Sequence, residues 1–129
     1  MTPEQLDRRR PVWITLSELW LDTEHDEAAR ERMAEALARS EFDERELRAI
    51  HDSEVAPAVA DNLQSVAGEW NGFDPQWLEE RCRAAAERRP GVVGKLLERM
   101  RASGRRALVG ATLDDVLARV ARQRSTRRA

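Results

Sequence analysis

The chain has 129 residues, 36% of them charged and 41% hydrophobic, with 22 Lys or Arg against 24 Asp or Glu and a formal net charge of −2. That length suits one domain able to bury roughly two thirds of the surface its unfolded form exposes. The single cysteine, Cys82, excludes an intramolecular disulfide, and no apolar run approaches the roughly 18 residues that a membrane span requires.

Thr2-Pro3-Glu4-Gln5 places a hydroxyl at an N-cap, proline at the first helical position and glutamine at N3, which predicts a helix start. Pro11 is expected to kink or restart the chain, because its ring cannot donate a hydrogen bond within a helix. Val12, Trp13, Leu16, Leu19 and Trp20 then recur at steps of three and four and form one apolar stripe, ending near Asp22. A further helix is predicted from about Asp26 to Arg39, burying Ala29, Met33, Ala36 and Leu37. The next opens at Asp43 with Glu46 three residues on, a capping box, and shows Leu47, Ile50 and Val55 before Pro57 kinks it or forces a new start. Val59, Leu63 and Val66 continue the pattern to Gly68.

"GEWNGFDPQWL", Gly68 to Leu78, reads as a turn, with Asp74-Pro75 as N-cap and N1 of a helix running to about Arg88. Trp77, Leu78 and Cys82 are expected near its buried side, and Pro90-Gly91 beyond its end. Val92 to Ala102 and Leu113 to Arg122 predict two more helices, the second capped by Thr112 with Asp115 at N3, and residues 125–129 read as a frayed tail. The sum is an all-α fold, a compact irregular bundle of about six or seven helices without a sheet.

Charge is segregated along the chain. Residues 1–40 hold 6 Arg against 9 acids, residues 41–80 hold 2 against 11, and residues 81–129 hold 14 Arg or Lys against 4. Such a split predicts either charged partners or pairing between two faces of one domain. Trp13, Trp20 and Trp77 are expected in the core, each indole N–H seeking an acceptor, whereas Trp70 lies in a glycine-flanked turn where an aromatic can anchor a partner. Glu54 shares a helical face with Leu47 and Ile50, so a partner for its carboxylate, an arginine for instance, is expected. Cys82, between Arg81 and Arg83, reads as a packing residue.

No catalytic residue is assigned. There is no phosphate loop, no HExxH, no cysteine cluster and no GxSxG elbow. The knot Asp22, Glu24, His25 and Asp26 reads first as helix-end chemistry. A metal alternative would combine His25 with His51-Asp52 and a late Asp114 or Asp115, in the order used by all-helical metal phosphohydrolases. The arginine-rich residues 81–129 raise a second alternative, nucleic-acid binding through phosphate contacts.

Two stretches, "RRPVWITLSELWLDTE" (Arg9 to Glu24) and "EVAPAVADNLQSVAGEWNGFDPQWLEER" (Glu54 to Arg81), resemble a family of small uncharacterised bacterial helical domains. The resemblance covers about residues 8–82 and leaves residues 83–124 as a basic helical extension packed on that core. It implies a helical domain of unknown function and carries no reaction or cofactor with it. It also draws attention to Asp22, Thr23, Glu24, Glu54, Glu69, Trp70 and Asp74 as one surface, and Asp26 of the acidic knot joins them as an interface candidate. The expectation is a non-enzymatic protein-binding module of the cytoplasm, without cofactor or membrane contact. Its acidic surface would meet a basic protein, as an immunity or antitoxin protein meets a toxin.

Overall fold

The computed structural model describes residues 1–21, 25–60, 73–87 and 104–128, with side chains described over 109–127 in the last stretch. Among these residues every regular element is helical, in five continuous stretches. Helix α1 (Pro3–Ser17) runs on into a 3₁₀ turn (Glu18–Trp20) and is followed by α2 (Glu27–Ala38). The third stretch has three parts: α3 (Glu44–Ile50), a π-helical turn (His51–Val55) and α4 (Ala56–Ala60). Then come α5 (Pro75–Ala86) and α6 (Gly104–Arg128). None of the helices is long and apolar enough to cross a membrane.

The local start signals act as the sequence predicts. Thr2 accepts from the Gln5 amide while the Gln5 side chain bonds the Thr2 amide, and Asp43 and Glu46 repeat the exchange at α3. Asp26 accepts from Ala29 N at 2.8 Å and Asp74 from Trp77 N at 2.9 Å, so both are N-caps. Leu21 ends the first stretch in an extended conformation just before Asp22, which itself lies outside the described residues.

Neither described interior proline breaks its helix. α1 passes through Pro11, which faces solvent, where water can serve the carbonyl that loses its donor. The cost of an interior proline, about 3 kcal/mol, is offset by Val12, Trp13 and Leu16, each at most 1% exposed and each worth roughly 1.5–3 kcal/mol on burial. Before Pro57 the helix widens instead. The Ala56 N–H reaches back to His51 O, an i to i+5 bond, and the wider turn relieves the clash between the proline ring and the preceding carbonyls.

α6 also departs from expectation. Thr112 is an interior residue, 8% exposed, and helix continues from Gly104 to Arg128 through the predicted cap and the predicted tail. Its apolar face, Val109, Leu113, Val116, Leu117 and Val120, joins the same core cluster as Trp13, Trp20, Leu37 and Leu47. The helix 92–102 that the sequence predicts, and Leu63, Val66 and Pro90-Gly91, lie outside the described residues. In α2 the buried side chains are Met33, Ala34, Leu37 and Ala38, while Ala29 and Ala36 are half-buried, so the inward face is rotated slightly from the one predicted.

Candidate functional site

The π-helical turn gathers the chemistry-bearing side chains. It delivers His51 (0% exposed) and Glu54 (8% exposed) into the core, where Trp20 of the 3₁₀ turn meets the first and Trp13 of α1 the second. Trp13 Nε1 donates to Glu54 Oε1 at 2.8 Å, and Trp20 Nε1 donates to His51 Nε2 at 3.1 Å with the two rings nearly parallel at 18°. An indole nitrogen only donates, so His51 Nε2 must present its lone pair and the ring proton must sit on Nδ1. That proton points to Asp52 Oδ1 at 2.8 Å. His51 is therefore a neutral imidazole with both nitrogens engaged.

Glu54 has a second neighbour. Arg9 brings Nε within 3.4 Å of Oε1, out of line for a hydrogen bond, while its guanidinium carbon lies 5.3 Å from the centre of the Phe42 ring. The arginine partner anticipated for this carboxylate is thus Arg9, with Trp13 beside it. Burial nevertheless raises the Glu54 carboxyl above its ordinary range, outweighing the opposing pull of Trp13 and Arg9. Cys82 packs at 0% exposure, and burial together with the nearby Glu54 carboxylate pushes its thiol far up. Arg81 and Arg83 face solvent on either side and do not activate it.

The residues singled out from sequence separate in space. Glu54 lies inside and contributes nothing to an exposed acidic rim, because its helical face is the buried one. Asp26 and Asp74 are exposed but hold helix starts. Asp22, Thr23, Glu24, Glu69 and Trp70 lie outside the described residues. His25 is half-buried beside the end of the 3₁₀ turn, its Nε2 buried without a hydrogen bond, and desolvation with the Arg30 charge lowers its basicity. Asp115 binds Arg30 at 3.1 Å and Arg119 at 2.9 Å, and Asp114 binds Arg48. Among the described residues no three His, Cys, Asp or Glu side chains converge on one point, so the metal set His25, His51, Asp52 with Asp114 or Asp115 is not assembled. Trp13 and Trp20 are core, whereas Trp77 is half-buried, stacked on Phe73 with Arg81 over its ring.

The segregated charges partly neutralise each other. Arg119 bridges Glu31 at 2.8 Å and Asp115, and Gln123 adds a bond to Glu31. Arg124 turns inward, its Nη2 reaching the carbonyls of Leu37, Ala38, Ser40 and Phe42 at 2.7–3.4 Å, while Nη1 lies 3.4 Å from Glu44. It thereby serves carbonyls at the end of α2 that have no partner within the helix. Arg122 and Arg127 remain along a shallow groove of about 380 Å³ beside Glu31 and Arg119. Sequence reasoning missed both tryptophan tethers and the Arg124 fan. Their signal was the demand of buried indoles and a buried acid for partners, without any indication of which would meet.

One concave surface is apolar. Between α1 and α5 lies a cleft of about 280 Å³ lined by Arg10, Trp13, Ile14, Pro75, Leu78 and Glu79. Ile14, 41% exposed, is the exposed large hydrophobic side chain among the described residues. Arg10 closes one rim, binding Glu79 at 2.8 Å and also Asp7. Trp13 is held in place from behind by Glu54.

No curated protein and no solved structure matches the chain significantly. A family model does match, over residues 7–124, and so takes in the basic C-terminal helix as far as Arg124, well beyond the stretch 8–82 expected from the two motifs. By that match the chain belongs to DUF7079, a family defined as a domain of unknown function.

Proposed function

We propose that this protein is a non-enzymatic binding module for a basic protein partner. One observation carries the reading: among the described residues His51, Glu54 and Cys82 are each taken up by an interior contact, whereas acids such as Glu41, Asp43, Glu46, Asp74 and Glu80 face solvent. Residues 41–80 carry 11 acids against 2 Arg, and Arg119 and Arg124 of α6 already serve acids and carbonyls of α2, α3 and the loop between them. The remaining carboxylates are suited to steering a cationic protein toward the surface. An immunity or antitoxin protein that covers a basic toxin is the specific form of this reading.

Its test is cross-linking of the tagged chain in its host, identification of the stoichiometric partner, and reconstitution from purified components. The expected partner is basic, and the association rate falls as salt is raised, because screening shortens the reach of the carboxylates to about 3 Å at 1 M. An acidic partner, or an association rate indifferent to salt, would overturn the proposal.

A further inference from the structure

We infer that the cleft between α1 and α5 is the docking point for one aliphatic side chain of a basic partner segment, with that segment's lysines or arginines falling on the carboxylates of its rim. The inference deepens the reading above and rests on it. Three observations converge on this cleft. Ile14 is left 41% exposed while Val12, Trp13 and Leu16 around it are at most 1% exposed, so an apolar surface is open at one place and closed beside it. The cleft, about 280 Å³, has room for an aliphatic side chain. At the rim Arg10 lies between two carboxylates, Asp7 and Glu79, so among the described residues one negative charge is in excess there, and the Asp7 side chain is 71% exposed.

The buried tether gives the cleft its shape. Glu54 fixes the Trp13 indole from the core side, and Trp13, itself 1% exposed, lies behind the cleft as one of its lining residues. A wall already fixed before binding loses little side-chain freedom when a partner arrives. An aliphatic anchor flanked by cations would fill the apolar floor and compete with Arg10 for Asp7 and Glu79 at the edge, the arrangement by which an amphipathic helix seats in a groove.

The test uses the full chain with isotope-labelled methyl groups and three short amphipathic peptides: leucine with lysine, leucine with glutamate, and alanine with lysine. The leucine–lysine peptide is expected to give saturable shifts at the Ile14 and Leu78 methyls. The other two peptides, and the leucine–lysine peptide on Ile14→Asp, should bind at least about tenfold more weakly, the effect of losing an interface anchor. Glu79→Lys provides a second variant at the rim and should weaken binding in the same direction. Equal affinity for the leucine–glutamate peptide, no binding of any peptide, or concentration-dependent dimerisation abolished by Ile14→Asp would each overturn the inference. Salt-sensitive binding of lysine peptides that Ile14→Asp leaves unchanged would sink the cleft and leave the basic-partner reading standing. Leucine–lysine binding at the cleft, together with an acidic partner captured in the host, would sink that reading instead.

Discussion

The contact of α1 with the π-helical turn and the contact of α2 with α6 solve the same problem in opposite ways. In the first, two buried indoles donate to two buried acceptors, with Arg9 beside the Glu54 carboxylate and Asp52 accepting from His51. In the second, an apolar seam of Met33, Leu37, Val116 and Val120 is edged by arginine–carboxylate pairs open to water. Buried hydrogen bonds of this kind are costly to break on one side only, whereas exposed ion pairs contribute little individually and weaken with salt. The difference implies that the first contact sets the geometry of the molecule and the second sets its response to conditions.

Trp13→Ala should break the comparison most severely. It removes a 1%-exposed indole and leaves Glu54 without its donor, so a loss of roughly 3–5 kcal/mol is expected in urea unfolding. A loss near 1 kcal/mol would mean that the tether contributes little. Arg124→Ala comes next. It deprives four backbone carbonyls and Glu44 of one guanidinium, with an expected cost of about 1.5–3 kcal/mol and faster amide exchange over residues 38–44. Unchanged exchange there would show that water replaces the arginine without loss.

The smallest effect is the most discriminating, because the two contacts respond to pH with opposite sign. Glu54 has a raised carboxyl, so its contribution to stability is complete below the ordinary glutamate range, near 4.3, and is lost as pH rises through the folded value. Asp115 is depressed by its bonds to Arg119 and Arg30. Its contribution is complete above the ordinary aspartate range, near 3.9, and is lost as pH falls through the folded value. Glu54→Gln, which keeps an acceptor for Trp13, should therefore gain on the wild type as pH rises from about 4 to 7. Asp115→Asn should lose most at neutral pH and approach the wild type in acid. Urea midpoints of both variants measured from about pH 2 to pH 7, if they moved in parallel with the wild type, would remove the distinction between the two contacts.

Sequence reveals the parts of this fold whose cause is local. Thr2 with Gln5, Asp43 with Glu46, and Asp74 with Pro75 start helices at the expected positions because a cap needs only its neighbours within four residues. The stripe from Val12 to Trp20 is core because helical spacing alone puts those residues on one side. Pro11 and Thr112 mislead for the same reason in reverse: each is a strong local stop or start signal, and tertiary burial of Trp13 or Leu113 overrides it. The candidate cleft was half legible. Ile14 falls off the three- and four-residue steps of the stripe, so its exposure follows from helical spacing, whereas the approach of α5 that makes a cleft beside it joins residues far apart in the chain.

The i to i+5 bond from Ala56 to His51 gives the third helical stretch one residue more than an α-helix would hold in that turn. A residue inserted into a regular α-helix would turn everything after it by about 100°, whereas the wide turn takes the residue up within itself. Ala58 and Val59, 4% and 0% exposed, thus keep their place in the core. In this chain the turn therefore acts as a register absorber: it admits one more residue without turning the inward face of the following helix outward.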